Sequence, residues 1–516
     1  MKTKGYKTYF EVLYILFLGV ITSFSLTPYN YWFLNFFTFS LLLIFLINKK
    51  SENLKSFFIY GYIFGFGYFF SSLYWIPISL SYDENFSFLI PFAIIIIPTV
   101  LSLFYGFAFL TFKYFYNYKG IFLNLLLFSL ILGIYEFLRG KLFSGFPWNL
   151  FAYSFLENIN FIQINSIIGI YSFNMFLITL FSLPSIFFLD KKKNDLFGLL
   201  LILAISSISY VYGVYKIHNF QKLKTETLSS EIKILSTNVP INRFYSIMDN
   251  EKILKKLINL SNPDHNLKTI FIWPEGVIPN TDLKTLQNDY DFLFKNSFSE
   301  NHNIILGVND SKIISKKKYF FNSLSIIDND INVIFKYYKK NLVPFGEFLP
   351  FENILSKIGL RSLTNNYQSY SSGDERKIFH FKNHDKIKIL PLICYEIIYS
   401  GELSKFNDYN FIVNISEDGW FGNSIGPHQH FAHSIFRSIE YGKYTLRSAN
   451  NGISAIIDPK GSIIKKIDIN SEGVLTIKEI ANVDKTPFSI LGNKIYLLII
   501  LLYIFLIFSF KKIGNE

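Results

Sequence analysis

Three residues of this chain have the type and setting for covalent acyl chemistry: Glu275, Lys339 and Cys394. Each follows a short apolar run of strand-like composition. The first run is Ile270-Phe271-Ile272-Trp273-Pro274-Glu275-Gly276, the second runs from Tyr337 through Lys339 and Lys340 to Leu342-Val343-Pro344-Phe345-Gly346-Glu347, and the third is Leu390-Pro391-Leu392-Ile393-Cys394-Tyr395-Glu396. Strand ends are where α/β folds gather ligands. A cysteine hydrolase or transferase needs a thiol, a base to take its proton, and a donor or cation to hold the developing oxyanion. A free thiol has a pKa near 8.5, so only a small fraction is thiolate at pH 7 and a nearby carboxylate has a proton to remove. Taken singly, each residue also fits a plainer role: Cys394 as buried packing, Glu275 as a helix-start or surface carboxylate, Lys339 as a solvated charge. Lys340 leaves the choice of lysine open. Three such residues in succession, each after a strand, argue for one site. Cys394 is the single cysteine, so no intramolecular disulfide is possible and any thiol chemistry falls on it.

The elements that must carry these residues lie between about 230 and 480. Short runs rich in Ile, Val, Phe and Tyr recur there: Ile232–Val239, Ile270–Trp273, Ile304–Val308, Tyr319–Ile327, Val333–Tyr338, Ile387–Ile393, Phe411–Ile415 and Ile453–Ile457. Their length and composition predict strands. Glu251–Leu260 gathers Ile253, Leu254, Leu257 and Ile258 on one face of a helix, and His430–Tyr441 also reads as helix. Adjacent strand pairs mixed with helices predict an α/β sandwich. Thr364–Gly373, rich in Asn, Ser and Tyr, is the candidate mobile loop.

The flanks are of another kind. Half of the 516 residues are hydrophobic, 19% are aromatic and 17% are charged, against about 25% charged in an ordinary soluble domain. A helix needs about 20 apolar residues to cross a bilayer. Eight stretches qualify, at roughly 9–27, 31–47, 56–80, 87–111, 121–138, 161–188, 196–215 and 489–510. The expected division is a membrane domain over 1–217 with about seven transmembrane helices, a polar domain over 218–488, and a last transmembrane helix with its tail over 489–516. In the termini and short connections one side holds Lys2, Lys4, Lys7, Lys49, Lys50, Lys55, Lys113, Lys119, Lys191, Lys192, Lys193, Lys511 and Lys512, and the other holds Arg139 and Lys141. The positive-inside rule then puts both termini in the cytoplasm and the polar domain outside. The formal net charge of +12 sits largely at span ends. No dense Lys/Arg stripe marks the polar region, which argues against nucleic acid as a partner.

Within the spans, Glu136 and Arg139 share a helix face at i and i+3. They read either as a mutually satisfied interfacial pair or as a contact for a lipid headgroup or substrate. The following Gly145-Phe146-Pro147-Trp148-Asn149 fits an interfacial aromatic anchor. His428, His430 and His433 invite a metal reading, but no nearby Cys or well-spaced carboxylate in the sequence completes a site, so no metal and no cofactor are expected.

Together, WPEG, YxKxxLVPFGE and LICYE resemble, in order, the three motifs of the carbon–nitrogen hydrolase (nitrilase) superfamily. LVPFGE, the later Trp420-Phe421-Gly422-Asn423-Ser424-Ile425-Gly426-Pro427, and Gly145–Asn149 are similar to the membrane-embedded apolipoprotein N-acyltransferase branch. The resemblance extends over nearly the whole chain. It implies an αββα sandwich outside the membrane, with Glu275 as general base, Lys339 rather than Lys340 as oxyanion cation, and Cys394 as nucleophile. Glu347, Tyr395 and Glu396 would support the site, the Tyr395 amide serving as a second oxyanion donor. Glu136, Arg139, Trp148, Trp420 and Phe421 become candidate substrate contacts. The sequence departs from the family pattern at Glu417-Asp418, where the family often has Asn-Asp, and at Phe244 and Tyr245, where it often has Trp.

The implied activity is transfer of an acyl chain from a phospholipid donor, through a Cys394 thioester, to the N-terminal amine of a diacylglyceryl-modified lipoprotein, at the periplasmic face of a bacterial inner membrane. Two other readings stand beside it. One is a membrane-tethered amidase or nitrilase using water, against which the eight spans and the LVPFGE and WFGNSIGP segments argue. The other is a non-enzymatic transporter or scaffold, against which the intact triad argues.

Overall fold

The computed structural model describes residues 2–513, apart from 117–119, 190–191, 246–248, 280, 356, 358–368, 383, 385–386 and 407; the first half of the candidate mobile loop, 364–368, therefore lies outside the described residues. The chain begins with apolar helices: α1 (Lys2–Ser23), α2 (Leu34–Asn48), α3 (Leu54–Leu73), α4 (Ile90–Phe115), α5 (Ile121–Arg139), the short α6 (Ile159–Ile162), α7 (Asn165–Ser182), the short α8 (Ser185–Phe188) and α9 (Lys193–Gln221). Six helical stretches among the described residues are long and apolar enough to cross a membrane: Leu54–Leu73, Ser87–Phe115, Ile121–Arg139, Asn165–Phe188, Lys193–Gln221 and Lys494–Lys512. The first two expected spans coincide with the shorter apolar stretches Tyr9–Ser23 and Leu34–Asn48.

Three expected spans need their bounds corrected. The stretch 56–80 is not one helix: α3 stops at Leu73, and Ile76–Tyr82 is a 3₁₀ segment with Pro77 in its first turn. The stretch 161–188 is interrupted where Gly169 takes φ +71° and again near Pro184, a residue that has no amide hydrogen to continue the ladder. The last helix begins at Lys494, because Gly492 at φ +55° breaks the chain after a preceding short turn. Close approach of helix backbones also explains two glycines. A Cβ on Gly19 would lie 2.2 Å from the Phe64 carbonyl oxygen, and one on Gly61 the same distance from that of Tyr105.

Two six-stranded sheets occupy the polar region. They are built from β1 (Thr225–Ser236), β2 (Thr269–Ile272), β3 (His302–Ile314), β4 (Lys317–Ile327), β5 (Val333–Tyr338), β6 (Phe379–His380), β7 (Lys388–Ile393), β8 (Phe411–Glu417), β9 (Tyr444–Asn450), β10 (Ser454–Ile457), β11 (Ile463–Ile467) and β12 (Gly473–Ala481). One sheet has the order β12-β1-β2-β3-β4-β5 and the other β11-β10-β9-β8-β7-β6. In each, three central strands run parallel: β1, β2 and β3 in the first, and β7, β8 and β9 in the second. The two sheets meet where the Ser448 hydroxyl donates to the Leu235 and Ile272 carbonyls at 2.6 and 3.1 Å. β2 and β8 are buried along their whole length, which is what a near-continuous apolar run in a parallel sheet requires.

Helices α10 (Asn250–Ser261), α11 (Leu283–Asp289) and α12 (Asp291–Ser297) share an apolar cluster with the outer face of the first sheet, through Leu254, Leu257, Leu286, Phe294, Phe271 and Trp273. The amphipathic α10 is started by Asp249, whose side chain accepts from the amides of Glu251 and Lys252, and stopped by Asn262 in the left-handed region. After the short α13 (Glu352–Leu355) comes α14 (Gly426–Tyr441), buried at every position but the half-buried His428, which packs between β9 and the membrane helix α7. The short α15 (Pro487–Leu491) leads into α16 (Lys494–Ile513). The result is a multi-helix membrane-type region joined to an α/β sandwich. All eight strand runs and both helices expected from the sequence are present. β6, β9, β11 and β12 are additional.

Candidate active site

Glu275 lies just beyond β2, Lys339 just beyond β5 and Cys394 at the end of β7. Gly307 in β3 makes room for the first of them, because a Cβ there would lie 2.6 Å from the Glu275 Cα. The Lys339 ammonium donates to Glu275 Oε1 at 3.4 Å and to Glu347 Oε1 at 3.0 Å. Asn322 of β4 bridges the same two carboxylates, donating to Glu275 Oε1 at 2.7 Å and Glu347 Oε1 at 2.8 Å. Glu275 Oε2 accepts from the Glu417 amide at 3.0 Å, and Glu347 Oε2 from the Val343 amide at 2.8 Å. The neighbouring lysines diverge. The Lys339 side chain is 1% exposed, whereas that of Lys340 is 38% exposed and reaches Glu375 at 4.0 Å.

Electrostatics follow from this burial. Loss of solvation pushes the Glu275 carboxyl above the ordinary carboxylate value, against the pull of the Lys339 charge. Burial and then the Glu275 charge push the Cys394 thiol up, while Lys339 pulls it down. Burial alone would lower Lys339, but Glu275 and Glu347 more than offset it and hold the ammonium well above its usual value. The thiol therefore rests protonated beside a carboxylate with raised proton affinity and a permanent cation. That arrangement suits general-base activation during attack rather than a standing thiolate.

Cys394 takes φ +48°, a conformation that costs an L-residue about 1–2 kcal/mol. Its carbonyl is held from two sides, by Asn414 Nδ2 at 3.3 Å and His430 Nε2 at 3.3 Å. Glu396, two residues on, ties the turn down. Its Oε2 accepts from the Ile393 amide at 2.9 Å. Its Oε1 accepts from the Tyr337 hydroxyl at 2.6 Å, the Lys340 amide at 2.9 Å and Arg376 Nη2 at 2.9 Å.

The Cys394 turn also meets the membrane region. The Tyr395 hydroxyl donates to the Gly145 carbonyl at 3.1 Å and that of Tyr399 to the Ser144 carbonyl at 2.9 Å. Trp148 lies against the His430 ring at 5.3 Å and the Tyr395 ring at 6.4 Å between centroids, and its Nε1 donates to Gln429 at 2.9 Å. Phe421 joins this group beside Trp75, at 4.8 Å. Trp420 lies in a second aromatic group, stacked on Phe244 at 5.3 Å and 14° and edge-on to Tyr82. Glu136 and Arg139 are fully buried and paired with each other. Tyr105 donates to Glu136, and Arg139 donates to the Phe146 carbonyl, so the pair pins the start of the Gly145–Asn149 loop.

One sequence expectation needs correcting. One of the histidines, His430, does have a cysteine and a carboxylate beside it in space: the ligand atoms of Cys394, Asp418 and His430 all lie within 4.8 Å of one another. The donor set nevertheless fits a metal poorly. Both Asp418 oxygens already accept from Arg447 Nη2, at 3.0 and 2.8 Å, and the Ser416 hydroxyl donates to one of them at 2.7 Å. The Arg447 charge helps hold the Asp418 carboxyl below the usual range despite its burial. A resident guanidinium stands where a cation would be needed. His433 instead contacts the Tyr153 hydroxyl at 2.6 Å.

Sequence reasoning missed Asn322, Asn414, Asp418, Arg376 and Arg447 as parts of the site and weighed His430 only as a ligand. The available signal was a large polar side chain within a strand-like run, Asn322 in Phe320–Leu324 and Arg447 in Tyr444–Ala449.

Two family models and full-length relatives match this chain. Residues 18–183 match the apolipoprotein N-acyltransferase N-terminal domain, and residues 246–483 match the carbon-nitrogen hydrolase family. The apolipoprotein N-acyltransferase of Rickettsia prowazekii is 32% identical over 97% of this chain and 98% of its own. That of Wigglesworthia glossinidia brevipalpis is also 32% identical, over 98% of each. Among solved structures, a Nesterenkonia AN1 amidase of the nitrilase superfamily is similar at 9% identity and a TM-score of 0.31, over 48% of this chain and 91% of that one. With its long apolar helices this is a multi-pass membrane protein. Near-complete coverage by such relatives establishes that the chain belongs to the apolipoprotein N-acyltransferase family.

Proposed function

We propose that this acyltransferase moves one acyl chain from a membrane phospholipid to the free N-terminal amine of a diacylglyceryl-modified lipoprotein, in two steps that share Cys394. In the first, Cys394 Sγ attacks the phospholipid ester carbonyl while Glu275 takes the thiol proton. Lys339 and the Tyr395 amide hold the oxyanion. The carbon–oxygen bond breaks, the proton passes to the leaving alkoxide, and a lysophospholipid departs. In the second, the acceptor's α-amine attacks the thioester and gives its proton to Glu275. The thiolate leaves and is reprotonated, and the product is an amide. An α-amine with pKa near 7.7–8.0 is partly neutral at neutral pH and so is a competent nucleophile.

The observation that carries this reading is the convergence of Glu275, Lys339 and Cys394 from three strand ends in one buried cluster. Its contact with the Gly145–Asn149 loop of the membrane region suits two lipid-anchored substrates. Glu347, Glu396 and Tyr395 hold the triad, Trp148, Phe421 and Trp420 line the approach of lipid chains, and the Glu136–Arg139 pair keeps Trp148 in place. We take 218–488 as the catalytic domain, set between membrane parts 1–217 and 489–516. The lysine distribution supports the periplasmic side of the inner membrane for it.

The test is to incubate purified full-length protein with phospholipid and measure intact mass. One acyl chain should add to Cys394, hydroxylamine should remove it, and a diacylglyceryl lipopeptide with a free N-terminus should discharge it while the N-blocked peptide does not. If water or ammonia clears the adduct as fast as the lipopeptide, the chain is a membrane amidase instead. A strong signal from a cytoplasm-only reporter at residue 225 would overturn the orientation.

A further inference from the structure

We propose that the buried Arg243–Glu417 ion pair is a positioning pair that aims the Glu275 carboxylate and ties it to the aromatic pair Phe244–Trp420. The proposal rests on Glu275 being the base. Arg243 is fully buried and Glu417 is 2% exposed. Arg243 Nη2 donates to Glu417 Oε2 and, at 3.0 Å, to the Gly276 carbonyl. Those are the two segments that flank the base: Gly276 follows Glu275 in the chain, and the Glu417 amide donates to Glu275 Oε2. One guanidinium therefore sets the spacing between the end of β2 and the end of β8, across the gap between the sheets.

The pair is itself fixed. Arg243 Nη1 donates to the Pro240 carbonyl at 3.0 Å. Glu417 accepts from the Gly419 amide and Asn450 Nδ2, both at 2.8 Å. The guanidinium also lies over the Phe244 ring at 4.3 Å, and the far face of the aromatic group is Trp420, stacked on Phe244. Movement of the aromatic pair is thereby linked to Glu275 through the Arg243 side chain and through the Glu417–Trp420 turn, whose first amide donates to Glu275. An asparagine at position 417 could keep the uncharged contacts without a cation. A glutamate there requires one, since a buried carboxylate left alone is strongly destabilising. The arginine and the glutamate thus belong together as a unit.

The experiment measures single-turnover acylation of Cys394 by phospholipid, together with thermal unfolding, in the full-length protein. Arg243→Gln should slow the acylation rate constant by roughly 10²-fold, the cost of misplacing a reacting group, with the phospholipid concentration for half-maximal rate unchanged. Arg243→Lys should fall between Arg243→Gln and the parent. The double variant Arg243→Gln/Glu417→Asn should recover most of the loss, because it removes the stranded charge along with its partner. Glu417→Gln, which keeps the side-chain shape, covers the case in which Arg243→Gln does not fold, and it should also lower the rate constant. Three outcomes overturn the proposal: parental rates per folded molecule, a loss wholly in the half-maximal concentration, or a double variant no faster than Arg243→Gln. Glu275→Gln run alongside separates the two readings. If it acylates normally, the base assignment fails. If it is inactive while Arg243→Gln is normal, only the positioning pair fails.

Discussion

The two halves of the active site are held in place by different means. The half at the end of the first sheet, with Glu275, Lys339 and Glu347, is fixed by charges and by Asn322, all within the α/β sandwich. The half at the end of the second sheet, with Cys394, is fixed partly by Asn414 and His430 and partly by Tyr395, Tyr399 and Trp148 leaning on the membrane region. The Glu275 half is therefore held mainly by buried charges of the sandwich and reaches the membrane region only indirectly, through Glu417 and Trp420, while the Cys394 turn leans on the membrane loop directly. Changes in the first half should alter chemistry at constant substrate affinity. Changes at the membrane contact should alter chemistry and substrate binding together.

The sharpest break of this comparison is Cys394→Ala, which should leave no acyl adduct by intact mass, since the nucleophile is gone. Next, Glu275→Gln should slow adduct formation by about 10²–10⁴-fold, the usual range for a lost general base, and Lys339→Met by about 10²–10³-fold, as for a lost oxyanion donor. The pH profile sharpens this point. Only the ionised carboxylate can accept a proton, and burial raises the affinity of Glu275 for one. Acylation should thus fall as pH drops, starting at a higher pH than an ordinary glutamate would give. A flat acid limb in single-turnover assays would remove Glu275 from the role.

Trp148→Ala tests the other half. It removes the ring lying on His430 and Tyr395, and acylation should fall about 10-fold, equivalent to roughly 1.4 kcal/mol of barrier, with a change in half-saturation as well. A pure rate effect would mean that the Cys394 half does not depend on the membrane loop. Smallest of all, Lys340→Met should leave the rate nearly unchanged, because a partly exposed ion pair is worth about 0–1 kcal/mol. Equal losses from Lys339→Met and Lys340→Met would put the wrong lysine in the site.

Much of this was legible in the sequence, for identifiable reasons. Glu275, Lys339 and Cys394 sit in contiguous motifs, and β2, β7 and β8 are short apolar runs of strand length and composition. β9 was missed because Arg447, Ser448 and Asn450 spoil its apolar pattern, yet these residues are buried and serve Asp418, the sheet interface and Glu417. The polar network around Cys394 joins residues from β8, α14 and β9 that are far apart in the chain. No local pattern encodes such a juxtaposition. Helix ends at Leu73 and Lys494 were misplaced because hydrophobicity continues past the backbone breaks at Pro77 and Gly492.

The placement of Lys339 between two carboxylates has an electrical consequence. In the proposed first step the partners are the Glu275 carboxylate and the Cys394 thiol, with the Lys339 ammonium beside them. When the thiol proton moves to Glu275, the sulfur gains the charge that the carboxylate gives up, so the total within the cluster is unchanged. No ion has to enter or leave, and the displaced charge travels only between neighbouring side chains. Mobile salt screens exposed charges over about 8–10 Å at moderate ionic strength but acts weakly on buried ones. The acylation rate constant should therefore be nearly independent of ionic strength, and in sealed vesicles nearly independent of membrane voltage.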